Sequence, residues 1–146
     1  MQISNYMTHE HRACDGLFAE AEKLAAEKSW PEAQEKFLQF ADETLKHFKK
    51  EEEELFPAFE AKTGSTEGPT QVMRFEHEQV RGLLGKMAEA LENQDRDAYL
   101  SLAESMMILL QQHNMKEEQM LYAMCDRVLP PEEKSGIIEK MEEVAL

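Results

Sequence analysis

Four of the five histidines in the chain fall into two pairs, and the members of each pair lie 36 residues apart. In each pair, a glutamate follows the second histidine after four residues, so the pattern H-x35-H-x3-E occurs twice. The residues of this pattern are His11, His47, Glu51, His77, His113 and Glu117. Imidazole nitrogens and carboxylate oxygens are ligands that iron, manganese and zinc accept. The pattern therefore predicts a metal site, provided that the fold brings the two halves together.

The elements that must position these residues are helices. Strand signals are nearly absent, and alanine, glutamate, lysine, leucine, methionine and glutamine dominate, all of which favour helix. Breaks occur at SWPE (29–32), TGSTEGPT (63–70), ENQDRD (92–97) and LPPEE (129–133). They predict one domain over residues 1–146, with long helices at about 4–28, 31–62, 70–92 and 96–128 and a short tail helix at about 131–144. Short connections between long helices favour an all-α, antiparallel up-down-up-down four-helix bundle.

The histidine spacing agrees with this bundle. His11 lies 18 residues before Ser29, which is roughly 27 Å of helix, and His47 lies a similar distance after the turn. A chain that descends one helix and ascends the next returns to its starting level, and the same holds for His77 and His113. Because residues four apart share a helix face, each glutamate accompanies its histidine. The spacing predicts two metals at one level, each bound by two histidines, with both glutamates bridging.

An internal repeat supports the pairing. When the second half of the chain is laid over the first, KEEEELFPAF (50–59) aligns with KEEQMLYAMC (116–125), and EH (10–11) aligns with EH (76–77). Two similar helix pairs predict an approximate two-fold axis. We expect the replacement of LFP (55–57) by LYA (121–123) to affect only the end of a helix.

Other polar residues near the pattern are less favoured as ligands. His9 aligns with Phe75, and we expect Glu10 and Glu76 to be surface groups or neighbours of the ligands. Glu52 and Glu53 are expected on a solvated face. Glu54 is expected to be exposed, and its alternatives are an additional ligand or a proton carrier. Nitrogen and oxygen donors favour iron or manganese, and zinc would not need a bridged pair. The absence of cysteine from the set argues against a structural zinc site and an iron–sulfur cluster.

Charge and composition narrow the possible partners. The net charge of −14 argues against nucleic acid and anionic membranes. The two cysteines are far apart and belong to no CxxC motif, which suits free thiols in a reducing compartment. No signal peptide or apolar stretch of spanning length is visible. The expected location is therefore the cytoplasm.

The motifs EH (10–11), HFKKEEEELFP (47–57), MRFEH (73–77) and HNMKEEQMLY (113–122) together resemble the hemerythrin-like proteins of the HHE cation-binding branch. The resemblance covers nearly the whole chain. It implies an oxo- or hydroxo-bridged di-iron centre, with the same six residues as ligands. Oxygen-carrying members have a fifth histidine where this chain has Met73. That departure implies a symmetric site and argues against simple reversible oxygen carriage.

Three functions follow as expectations. The leading one is a non-heme di-iron protein that binds or senses O2, NO or peroxide. The second is a di-iron or dimanganese redox enzyme that breaks down peroxide or oxidises ferrous iron. The third is an iron donor or interaction protein in stress repair. The sequence leaves open whether the chain turns over a substrate, and whether it has a protein partner or forms a homodimer.

Overall fold

Seven α-helices and two π-helical turns make up the computed structural model, which describes residues 1–146. The elements in chain order are α1 (Ile3–Ala26), α2 (Trp30–Lys50), π1 (Glu51–Leu55), α3 (Phe56–Thr63), α4 (Pro69–Glu92), α5 (Arg96–Lys116), π2 (Glu117–Leu121), α6 (Tyr122–Val128) and α7 (Pro131–Glu142).

Four long helical segments form the bundle. The segments α2–π1–α3 and α5–π2–α6 are continuous, because each π turn joins two α-helices without a break. Helix α1 packs on α2 and α5, and α4 packs on α5 and α2. The predicted all-α architecture of long antiparallel helix pairs with a C-terminal helix is confirmed, and the helices begin and end within two residues of the bounds expected from the sequence.

The internal repeat is visible in the element bounds. Helices α1 and α2 and the turn π1 recur in the second half as α4, α5 and π2, with the same lengths. The turns between the paired helices match as well. Lys28 and Gln94, which occupy equivalent positions of the repeat, adopt the left-handed conformation with φ of 59° and 51°. This correspondence identifies the approximate two-fold relation between the halves.

Two apolar clusters occupy the bundle interior. One lies towards the α1–α2 and α4–α5 turns and includes Phe37, Phe40 and Tyr99. The other includes Ile3, Leu55 and the tail-helix residue Ile138. The repeated spacing of the histidines and glutamates places a polar layer between these clusters, where apolar packing limits its contact with water.

No helix combines the length and the apolar character needed to cross a lipid bilayer. Cys14 and Cys125 are both free thiols, the first half-buried and the second buried.

Candidate metal centre

Six buried side chains from four helical segments meet at one level of the bundle. Helices α1 and α4 each provide one histidine, and the segments that contain α2 and α5 each provide one histidine and one glutamate. None of the six is more than 4% exposed. They form two sets whose donor atoms lie within 4.8 Å of one another: Glu51, His77, His113 and Glu117 in one, and His11, His47 and Glu117 in the other.

The donor atoms are spaced as ligands of one ion would be. His11 Nε2 lies 3.1 Å from His47 Nε2 and 3.1 Å from Glu117 Oε1. His77 Nε2 lies 3.1 Å from Glu51 Oε1. Two ligands at a right angle, each about 2.1 Å from an ion, are about 3 Å apart. The side chains therefore need little movement to hold a metal of this size.

Both glutamates lie between the two halves. Glu51 Oε1 is 3.5 Å from His47 Nε2 as well as 3.1 Å from His77 Nε2. Glu117 Oε1 is 3.1 Å from His11 Nε2 and 3.3 Å from His113 Nε2. Each carboxylate thus contacts one histidine from each half, which is the position that a bridging ligand requires.

All four histidines direct Nε2 towards the centre because Nδ1 is bound on the outside. His47 Nδ1 donates to Glu10 at 2.9 Å, and His113 Nδ1 donates to Glu76 at 2.8 Å. The other two contacts are His11 Nδ1 with Glu118 at 2.6 Å and His77 Nδ1 with Glu52 at 2.7 Å. A carboxylate can only accept, so it fixes the hydrogen on Nδ1 and leaves Nε2 available as a ligand atom.

The expectation that Glu52 belongs to a solvated face is wrong. Its side chain is only 20% exposed, and its carboxylate accepts from both His77 Nδ1 and Arg81. The helical wheel places Glu52 away from the neighbouring Glu51, but that direction meets α4 rather than water. The repeat partner Glu118 contacts His11 and Arg12 in the same way.

The balance of charge favours a cation at the centre. Each outer carboxylate is paired with a cationic side chain as well as a histidine: Lys50 with Glu10, Lys116 with Glu76, Arg81 with Glu52 and Arg12 with Glu118. Glu51 and Glu117 have no lysine or arginine partner. Since an uncompensated buried charge is costly, two carboxylates at the centre call for positive charge there.

Unsatisfied polar atoms point to the same place. Six buried side-chain atoms lack a hydrogen-bond partner, and four of them belong to this centre: Glu51 Oε1, His77 Nε2, His113 Nε2 and Glu117 Oε2. Buried polar atoms are almost always paired. A metal bound between these atoms would satisfy them, so the residues fit such an ion.

Without a metal, protons supply part of the missing positive charge. Burial opposes protonation of His113, but the Glu117, Glu51 and Glu76 carboxylates outweigh it and raise the pKa of His113 to about 9. The pKa values of His47 and His77 are also raised, because their adjacent carboxylates overcome the effect of burial. Burial raises the pKa of Glu51, and the nearby Glu117 carboxylate adds to the effect.

The two π turns begin at the two central glutamates, Glu51 and Glu117. Each runs for five residues, and the backbone N–H of Phe56 or Tyr122 bonds to the carbonyl of Glu51 or Glu117, five residues earlier. Such turns are rare and often mark functional sites. Pro57 does not cause the distortion, since Ala123 occupies the equivalent position of the second turn. Each turn brings the residue five positions after its glutamate onto the face that carries the glutamate.

Tyr122 reaches the centre because of this turn. Its hydroxyl donates to Glu51 Oε2 at 2.7 Å or Glu117 Oε1 at 2.8 Å, and lies 3.2 Å from His11 Nε2. Its counterpart Phe56 has no hydroxyl and stacks near His77, with ring centroids 5.8 Å apart. The replacement of LFP by LYA is therefore more than a helix-end effect. It makes the two halves of the centre chemically different, whereas the sequence predicts symmetry.

The remaining candidates lie away from the ligand atoms. His9 is exposed, and Glu54 is half-buried beside a surface pocket with Lys49 and Lys140. Met7 and Met73 are buried in the apolar cluster that α7 completes. Glu10 and Glu76 contact the ligand histidines from outside, in agreement with their expected role as neighbours.

One known family matches the chain over most of its length. The model of the hemerythrin HHE cation-binding domain matches residues 2–125. The chain belongs to this family. No significant match was found among curated proteins or among solved structures. The HHE domain match covers both helix pairs of the bundle, and the buried His/Glu sets of this HHE protein are consistent with a binuclear metal site.

The neighbouring residues Glu52 and Glu53 provide a direct test of the outer carboxylates. We expect Glu52→Gln to lower the metal affinity of the HHE domain by about 10- to 100-fold, because the neutral amide holds His77 less firmly. Competition with a chelator at constant pH measures this affinity. Glu53→Gln is the matched control, since Glu53 is exposed in the same acidic run. Equal affinities of the two variants would contradict a role for Glu52.

The Tyr122 hydroxyl can be tested against a second buried tyrosine. We expect Tyr122→Phe to lower the free energy of unfolding of the metal-free protein by about 1–3 kcal/mol, because two buried carboxylates lose their donor. The hydroxyl of Tyr99 is buried without a hydrogen-bond partner. Tyr99→Phe should therefore leave the stability unchanged or raise it. Urea unfolding measures the stability of both variants. An equal loss of stability in the two would reject the hydrogen bonds assigned to the Tyr122 hydroxyl.

Proposed function

We propose that the chain is a non-heme di-iron protein that binds or senses dioxygen, nitric oxide or peroxide. The observation that carries the proposal is the placement of Glu51 and Glu117, each within 3.5 Å of a histidine from both halves. In this proposal His11 and His47 would hold one iron, His77 and His113 would hold the other, and Glu51 and Glu117 would be shared between them. The nitrogen and oxygen donor set suits iron or manganese.

The surroundings of the centre favour small molecules over an extended organic substrate. The candidate ligands are buried, and apolar clusters lie on both sides of them. Bound iron would supply the capacity to bind a diatomic molecule and to change oxidation state. The chain contributes apolar packing on both sides of the centre and holds the histidine Nε2 atoms directed towards it.

The test begins with metal analysis and continues with spectra. The protein reconstituted anaerobically with ferrous iron should hold two irons per chain. Addition of dioxygen, nitric oxide or azide should then change the optical spectrum at a stoichiometry of one per iron pair. A protein that holds no iron after reconstitution, or whose spectrum is unaffected by all three molecules, would contradict the proposal.

A redox enzyme is the second candidate, and Tyr122 is the observation that favours it. The hydroxyl lies on one side of the centre and within hydrogen-bond distance of both bridging carboxylates. A donor in this position can hold or supply a proton beside the reacting molecule. Many turnovers of hydrogen peroxide per iron pair, reduced in Tyr122→Phe, would favour the enzyme. A single stoichiometric reaction would favour binding or sensing.

A further inference from the structure

An apolar groove lies open on the second half of the bundle. It has a volume of about 200 Å³ and is lined by Pro69, Val72, Met73, Lys116, Met120 and Leu121. Val72 is 48% exposed and Met120 is 60% exposed. Phe75, which is 66% exposed, follows Val72 by three residues and so neighbours it on the helix surface. We refer to this surface, between the start of α4 and π2, as the open groove.

The equivalent surface of the first half is covered. In the alignment of the two halves, the lining of the open groove corresponds to Ile3, Tyr6, Met7, Lys50, Glu54 and Leu55. Helix α7 contacts both α1 and π1, which carry most of these residues. Its residues Ile137, Ile138 and Met141 belong to the same apolar cluster as the buried members of that lining.

Polar contacts hold α7 in place on this first-half surface. Lys134 donates to Gln2 Oε1, and Lys49 Nζ donates to the carbonyl of Ala145 at 2.6 Å. The effect of the cover is visible in the repeated lysines. The Lys50 side chain is 7% exposed, whereas that of its counterpart Lys116 is 46% exposed.

The open groove is also more apolar than the covered one at its outer positions. Where the first half has Tyr6, His9 and Glu54, the second half has Val72, Phe75 and Met120. If the open groove stayed in water, polar side chains would be expected at these positions, because exposed apolar side chains do not stabilise a solvated surface. Neighbouring exposed apolar side chains of this kind are a feature of interaction surfaces.

We propose that the open groove binds an amphipathic α-helix of a partner protein in the way that α7 binds the first half. The covered groove defines the chemistry of the occupant. The apolar face of the partner helix carries aliphatic and methionine side chains with the spacing of Ile137, Ile138 and Met141. These side chains pack on Val72 and Met120.

The experiment uses the full-length protein and a fluorescent peptide of residues 130–146, constrained as a helix by a side-chain cross-link to reduce the cost of ordering. Fluorescence anisotropy should show saturable binding. Val72→Glu and Met120→Glu should each weaken it by about tenfold or more, because they place a charge in the apolar contact. Leu38→Glu is the matched control, since Leu38 is 53% exposed on another helix, and it should bind as the wild type does.

The position of the bound peptide distinguishes the open groove from the surface that α7 covers. A benzophenone at the peptide position of Ile138 should cross-link to Met120 or its neighbours, as located by mass spectrometry. Cross-links to Tyr6 or Glu54 would mean that the peptide displaces α7, and would overturn the proposal. So would a lack of saturable binding. Sedimentation that shows a dimer abolished by Val72→Glu would assign the groove to a second copy of the chain and would overturn the proposed partner helix.

Discussion

Replacing Glu117 by alanine is expected to abolish the proposed binding of two irons. This carboxylate is the one residue shared by both sets of ligand atoms, whereas Glu51 belongs to one set only. Its loss removes the Oε1 atom that lies 3.1 Å from His11 Nε2 and 4.0 Å from His47 Nε2, so that only His47 keeps a carboxylate oxygen, Glu51 Oε1, beside its Nε2. After anaerobic reconstitution, the iron content should fall from two per chain to at most one. Inductively coupled plasma mass spectrometry of the desalted protein measures this ratio.

The loss of iron from Glu117→Ala should exceed the loss caused by any substitution at an exposed position of the same π turn. Gln119→Ala is the matched control, because Gln119 is exposed in π2 and should leave two irons bound. The alanine variant also leaves raised-pKa histidines without their counter-charge, which costs about 3–5 kcal/mol in comparable buried pairs. Glu117→Gln preserves the side-chain volume and tests the same carboxylate if the alanine variant unfolds. Two irons retained in both Glu117 variants would refute the shared-ligand assignment.

The main features of the centre were predictable because they depend on helix periodicity and on the repeat. His47 and Glu51 share a face at a separation of four residues, and the same pair returns as His113 and Glu117. The equal length of the two helix pairs then brings all four histidines to one level. The turn positions alone were enough to predict that these side chains meet, and the structure places their donor atoms close together.

The burial of the outer carboxylates was less predictable. A helical wheel gives the direction of a side chain but not which element packs against that side of the helix. Glu52 points away from Glu51 in both the sequence pattern and the structure. Its surroundings, however, are His77 and Arg81 on α4 rather than water. A signal did exist in the repeat, since Glu52 recurs as Glu118, whereas the exposed Glu53 aligns with Gln119.

Tyr122 could not be placed from periodicity because the helix geometry changes between it and Glu117. In a regular α-helix, residues five apart lie on different faces. The π turn rotates Tyr122 towards Glu117 and makes the 2.8 Å contact possible. The local sequence does not predict such a turn, since equivalent turns end at the leucines of two different sequences, LFP and LYA. The asymmetry of the centre thus depends on one substitution and on a backbone feature that only the structure reveals.

Protons and metal compete for the same donor atoms, and this competition should control the stability of the metal-free protein. In that form, buried carboxylates keep several imidazoles protonated, and the pKa of His113 is about 9 against about 6.5 in an unfolded chain. A group whose pKa is raised by folding stabilises the fold fully below the unfolded value. That contribution disappears as the pH rises through the folded value. The raised pKa values of His47, His77 and Glu51 act in the same direction.

The free energy of unfolding of the metal-free protein should therefore fall between about pH 6.5 and 9, by about 3 kcal/mol from His113 alone. Urea unfolding of chelator-treated protein across this range measures the change. The iron-loaded protein should lack this decline, because metal replaces the protons on its ligands. His113→Gln should reduce the decline, and His9→Gln, which alters the exposed histidine outside the centre, should preserve it. A metal-free protein whose stability is constant or rises over this interval would show that its buried carboxylates are neutralised by some other means.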